Sequence, residues 1–368
     1  MRIDLSNVLR RSSILFVLTT QFFITSTGWA YTDPLDLPAM KSALSANTVL
    51  TAVTAAGNRI VAVGPRGNVV ISDDQGISWT QAKVPVSTDL VAVSFPSSKV
   101  GWAVGHGGVV IKSVDGGLTW SKVMDGNQFS ELSVKFYKNQ VENNSPSVID
   151  RINKQVNSLI GDGSTKAFLD VHFETEREGF IVGTFNRIYR TEDGGETWRP
   201  WMDKTSNPLE LHFYSISKVK DKTFLTGEQG MVWRLNAEKK IFEPLQTPYK
   251  GTLFGSVLTE SRVLVFGMRG SVFGSDDNGQ SWKKVKVPAI AGITGGIAMK
   301  DGSIVLSTQA GTVLISQDGG KSFVSKQLNF PMSYFGLANT SNNELALVGS
   351  GGVKIEMWLQ KNSATNSK

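Results

Sequence analysis

The sequence predicts an all-β protein, a seven-bladed β-propeller of four-stranded blades with a helical insertion in blade three. Three observations carry that prediction: an eight-residue turn that recurs along the chain, a small glycine loop that recurs in step with it, and short β-branched runs between the two. The turn reads SDDQGISW (Ser72–Trp79), SVDGGLTW (Ser113–Trp120), TEDGGETW (Thr191–Trp198), SDDNGQSW (Ser275–Trp282) and SQDGGKSF (Ser316–Phe323). Its closing aromatic falls at Trp79, Trp120, Trp198, Phe242, Trp282 and Phe323, with spacings of 41, 78, 44, 40 and 41. The loop lies upstream of each turn, as in VGPRGNV (Val63–Val69) and FGMRGSV (Phe266–Val272). Its fifth position steps through Gly67, Gly108, Asn186, Gly230, Gly270, Gly311 and Gly352, spaced 41, 78, 44, 40, 41 and 41. Two independent markers moving together count seven repeats.

Each repeat has the same internal order. In blade two, Asp89–Phe95, Gly101–Gly105, Val109–Ser113 and Thr119–Met124 read as four successive strands separated by turn residues. A period near 41 with this order fits propeller blades rather than helical repeats, and closure into a ring removes most sheet edges. The last repeat runs out after Lys354–Gln360, so the N-terminal stretch 31–47 is expected to supply its fourth strand or cover that edge. The propeller itself spans 48–360, and 361–368 reads as a disordered tail.

The recurring turn has a folding role. Its Ser or Thr and its Asp can hydrogen-bond amides within the turn, its Gly can take positive φ, and its aromatic is a plate suited to packing on the next blade. Asp74, Asp115, Asp193, Asp277 and Asp318 are therefore structural, together with Trp79, Trp120, Trp198, Trp282 and Phe323. Blade four has lost the pattern (LNAEKKIF, Leu235–Phe242) but keeps the aromatic.

Ahead of the repeats, Arg2, Arg10 and Arg11 precede the apolar run Ile14–Ile24, and Gly28-Trp29-Ala30 offers a cleavage site. The expectation is a signal peptide over 1–30 cleaved after Ala30, with an uncleaved anchor as the alternative, and an exported protein, periplasmic or lumenal. The chain has no cysteine, which excludes disulfides, a lipid-attachment cysteine and thiolate metal sites. Loss of residues 1–30 lowers the net charge from +6 to +4, which gives no case for nucleic acid.

The turns resemble the Asp-box, or bacterial neuraminidase repeat. With the glycine loop at its 41-residue period, the chain resembles the photosystem II stability/assembly factor family of seven-bladed propellers, most clearly in Gly101–Trp120 and Gly179–Trp198. The resemblance covers about residues 48–358. It implies a non-enzymatic periplasmic or thylakoid-lumenal factor without cofactor that binds membrane-protein or envelope-complex partners, including transporters or photosystem-type assemblies. The degenerate blade four and the insertion depart from the family's usual form.

The competing function is a sialidase-like or other glycan-binding or glycan-hydrolysing propeller. Glycoside hydrolysis needs a close pair of carboxylates, or a Tyr nucleophile with an acidic partner. A sialidase also needs an arginine triad and a Phe-Arg-Ile-Pro-like motif, to which FNRIYR (Phe185–Arg190) is a poor approach. The three histidines, His106, His172 and His212, stand in unrelated contexts and suggest no metal site.

Two binding surfaces remain. The glycine loops of a propeller gather around one mouth of its channel, which brings Arg66, His106, Arg187, Glu228, Arg269 and Gln309 to a common rim. Three arginines there would grip acidic segments or a terminal carboxylate. The second surface is the insertion, about 125–166, where Ser145-Pro146 opens a helix carrying Val148, Ile149, Ile152, Val156 and Ile160 on one stripe. Phe136 and Tyr137 lie on the segment before it. A helical hairpin of this kind would dock a partner through its stripe or pack on the propeller's own edge.

Overall fold

The computed structural model describes residues 32–140, 146–162, 166–342 and 344–357. The expected signal peptide and C-terminal tail lie outside the described residues. Seven antiparallel sheets follow one another in chain order, each with its strands A to D in sequence. The innermost A strands are Ala52–Ala56, Leu90–Ser94, Phe168–Phe173, Phe213–Val219, Leu253–Leu258, Ile293–Ala298 and Tyr334–Asn339. Each packs beside the next, and that of blade seven packs beside that of blade one, so the ring is closed.

Six blades have four strands; blade seven has three among the described residues. Residues 32–47 form no strand there. The Ala46 carbonyl accepts from Val353 N–H on the open edge of blade seven (3.1 Å). Upstream, the Pro34 carbonyl accepts from Ser87 N–H (2.7 Å) and Ala39 N–H donates to the Val84 carbonyl (3.0 Å), pinning the segment to the start of the ring. The junction between blades seven and one is apolar, with Ile60, Ala62 and Val70 packed on Ala346, Val348 and Val353.

The Asp-box turns satisfy themselves. In blade two the Asp115 carboxylate accepts from Ser113 Oγ (2.8 Å), Thr119 N–H (3.0 Å) and Thr119 Oγ (2.6 Å), and Ser113 Oγ accepts from Gly117 N–H (2.8 Å). The same set recurs in blades one, three, five and six. These bonds hold the carboxyls low, to about 2 at Asp74 and Asp277. A turn with its polar groups so occupied can be pressed against apolar surface.

The turn is pressed against the preceding blade, not the next one. Trp120 sits among Val61 and Ile71 of blade one as well as Ala103 and Ile111 of its own blade. A Cβ on Gly320 would lie 2.3 Å from Leu264 of blade five, and its φ of +80° already disfavours one. Cations of the preceding blade bind the turn carbonyls: Arg59 Nη1 to Asp115 and Gly116 (3.1 Å each), Lys112 Nζ to Gly194 (2.7 Å) and Arg234 Nη1 to Asn278 (3.0 Å).

The insertion forms a helical hairpin between strand D of blade two and strand A of blade three: α1 (Gly126–Lys138) and α2 (Pro146–Asp162). Asp125 and Gln128 cap α1 reciprocally in a capping box. The apolar faces turn into the propeller, which overturns the docking role expected of Tyr137, Ile152 and Val156. All three are buried, and Leu159, not Ile160, completes the inward stripe; Ile160 is 60% exposed. Phe129 packs against Phe168, Tyr189 and Trp198 at 5.1, 4.6 and 5.8 Å between ring centres. Tyr137 OH donates to Asp203 (3.0 Å), and Ser133 Oγ and Tyr189 OH share a hydrogen bond (2.9 Å). Phe136 is half-buried with the Arg199 guanidinium 5.5 Å from its ring. The side chain of Val148 lies outside the described ones.

Two stability measurements check this account. Asp115→Ala should cost about 2 kcal/mol in a urea titration, because three donors lose a charged acceptor, whereas Glu238→Ala in the blade-four hairpin should stay within about 0.5 kcal/mol. Phe129→Ala should cost about 3–5 kcal/mol while Ile160→Ala is nearly silent; equal costs would mean that the hairpin is not welded to blade three.

Candidate functional site

In blades two to seven, strand A begins with two residues that break the in–out alternation: Leu90-Val91, Phe168-Leu169, Phe213-Tyr214, Leu253-Phe254, Ile293-Thr294 and Tyr334-Phe335. In the ladders with strand B the second of each pair has no partner. Each is a β-bulge, which re-aims one side chain. In five of these blades a glycine opens the neighbouring loop at the bulge; in blade six Thr308 stands there. A Cβ on Gly105 would stand 1.9 Å from the Asp89 carbonyl oxygen, and one on Gly227 would stand 2.6 Å from that of His212.

The bulged side chains line the channel. Val91, Leu169, Tyr214, Phe254 and Phe335, with Thr51 and Thr294, ring an open volume of about 270 Å³. All seven are half-buried. The two threonines tie neighbouring blades, donating to the carbonyls of Leu90 (2.6 Å) and Tyr334 (2.7 Å). On one side the aromatic surface continues outward. Phe254 lies 5.8 Å from Tyr214, Tyr214 lies 6.2 Å from His212, and His212 lies 4.5 Å from Phe185 on the rim, which is 41% exposed. The Lys166 ammonium covers the Phe185 ring at 3.4 Å.

The loop residues do not form the three-arginine rim that the sequence suggested. Arg66, His106, Arg269 and Gln309 are exposed. Arg66 and Arg269 occupy the loop position of positive φ (56° and 55°). Glu228 is half-buried and its carboxylate accepts from His212 N–H (2.9 Å). Arg187 is only 5% exposed. Asn186, at φ 61°, stands where the other loops have glycine, so Arg187 falls one residue beyond the loop and turns inward. The channel ring was missed because a bulge adds one residue without changing composition. Its signal was the paired bulky residues that open each strand A.

Beneath the ring the wall is made of small residues, except in blade three, where Asp170 stands. Its carboxylate accepts from Ile216 N–H of blade four and from Val171 N–H, both at 2.8 Å. Burial in the wall outweighs these bonds and raises its carboxyl to about 6. Among the described residues lining the channel it is the one carboxylate. Hydrolysis by a carboxylate pair has no second partner there. No cluster of His, Asp and Glu suited to a metal occurs among the described residues.

A raised carboxyl binds its proton more tightly in the folded state, so the native protein loses stability as pH climbs from about 4 towards 6. Asp170→Asn removes that loss. Its stability relative to the native protein should rise across this window and then level off, as read from urea midpoints at low, middle and high pH. A difference that does not change with pH contradicts the assignment.

A family model described as photosynthesis system II assembly factor YCF48 matches residues 154–288. The chain is 21% identical over 333 residues to the photosystem II assembly protein Ycf48 of Synechococcus sp. (strain JA-2-3B'a(2-13)), covering 78% of this chain and 91% of that one. Among solved structures, YCF48 bound to D1 peptide is similar at TM-score 0.63 and 16% identity, covering 87% of this chain and 99% of that chain. YCF48 from Cyanidioschyzon merolae is similar at TM-score 0.60 and 16% identity, covering 85% and 96%. The structural likenesses carry the fold. On repeat and fold together the chain is a seven-bladed β-propeller, and in sequence it is similar to the photosystem II assembly factors.

Proposed function

We propose that this chain is an exported, non-enzymatic assembly scaffold that holds a peptide segment of a membrane-protein or envelope-complex partner at the channel mouth on the glycine-loop face. The observation that carries the reading is the aromatic run from Phe185 through His212 and Tyr214 to Phe254, partly exposed on the glycine-loop face, where Arg66 and Arg269 are exposed on the loops of blades one and five. Aromatic rings in an open recess bury much area at small entropic cost, and arginines on the same face select carbonyl or carboxylate groups. The similar solved structure of YCF48 is bound to D1 peptide, which supports a peptide as the ligand class. The lone Asp170 and the low carboxyls of the Asp-box turns support binding over hydrolysis. No helix among the described residues is long and apolar enough to cross a membrane.

The test is a cross-linked pull-down of the tagged protein from its native envelope, run beside Tyr214→Ala/Phe254→Ala and Arg66→Glu/Arg269→Glu. Wild type should recover one specific membrane complex. The aromatic pair should reduce recovery by about tenfold or more, as loss of binding hot spots does, and the charge reversal should reduce it in a salt-dependent way. Equal recovery by all three proteins contradicts the channel mouth as the binding face.

A further inference from the structure

The junction between blades three and four differs from its neighbours on the face opposite the glycine loops. At the junctions on either side, the Asp-box turn of the later blade is pressed onto the earlier one and receives a cation from its strand C. Lys112 reaches the Gly194 carbonyl at 2.7 Å, and Arg234 reaches that of Asn278 at 3.0 Å. Arg190 holds the matching position in blade three, directly before the first turn residue, as Lys112 and Arg234 do. Blade four has no Asp-box turn to meet it. Its strands C and D run as a regular hairpin, paired from Met231–Gln246 to Asn236–Ile241, and Phe242 keeps the place of the turn's closing aromatic, buried at the junction.

The missing turn leaves a slot of about 250 Å³, lined by His172, Phe180, Arg190, Glu192, Trp201 and Lys240. The Arg190 guanidinium lies 5.6 Å from the Phe180 ring and 5.3 Å from the Trp201 ring. Glu192 (2.9 Å) and Glu178 (3.6 Å) neutralise it. A cation already balanced by carboxylates does not select a free anion, but its remaining N–H groups still seek neutral carbonyl oxygens. That is what Lys112 and Arg234 bind at the neighbouring junctions.

We infer that this slot takes a tight turn from another protein, with backbone carbonyls on Arg190 and an apolar side chain against Phe180 and Trp201, in the way the chain's own turns fill the sister junctions. The site lies on the other face from the channel mouth and does not depend on the reading given above. It gives the propeller a second, separate contact with a protein partner.

The probe is a dye-labelled cyclic peptide carrying SVDGGLTW, read by fluorescence anisotropy up to ~1 mM, where a dissociation constant still corresponds to measurable binding. Full-length wild type should bind it, and Arg190→Gln should weaken binding about tenfold. A graft that rewrites Leu235–Phe242 as TEDGGETF should fill the slot, abolish binding and raise the melting temperature. Absence of binding to wild type, or equal binding to wild type and Arg190→Gln, overturns the inference. Undiminished binding to a folded graft overturns it too.

Discussion

The channel mouth depends on a contact that leaves no room for a Cβ. Where the glycine loop begins, its first residue meets the carbonyl that precedes strand A, at a distance only glycine tolerates in blades two, three, five and seven. That approach forces an unpaired residue into strand A, and the bulge turns a bulky side chain into the channel. Around the closed ring this constraint recurs in blades two, three, four, five and seven, and blade six has the same bulge beside Thr308. The glycine loop is thus both a fold marker and a device that shapes the channel mouth.

The Asp-box does for the outside of the ring what the glycine does for the inside. Its Ser, Thr and Asp groups are consumed within the turn, so the turn offers a compact plug whose carboxylate is satisfied internally and whose carbonyls point outward. The preceding blade supplies apolar floor and a cation to meet it. This directional docking of each blade on its predecessor explains why the turn recurs at one period. It also explains why its absence from blade four opens a cavity while the fold survives, since Phe242 keeps the aromatic contact with Phe180 at 5.9 Å.

Much of this was legible in the sequence, because two markers with a shared period are hard to produce by any other architecture. Blade count, strand order, the structural nature of the Asp-box aspartates and the helical insertion all follow from spacing. The direction in which the Asp-box aromatic packs does not, since a plate between two blades reads the same from either side. The helical stripe of Ile152 and Val156 was legible as a stripe, but periodicity does not say whether a stripe faces its own propeller or a partner. Arg187 was misplaced by a single residue because Asn186 does a glycine's work there. The bulged ring stayed hidden because pairing, not residue type, creates it.

The central claim is that the bulged ring at the channel mouth is where a partner peptide sits. The most direct test places a photo-cross-linking amino acid at position 214 and, in separate proteins, at positions 160 and 287, followed by irradiation in the native envelope. The account predicts a discrete cross-linked product from position 214 that is absent from the other two. A partner captured only from position 160, on the outer face of the hairpin, would contradict it.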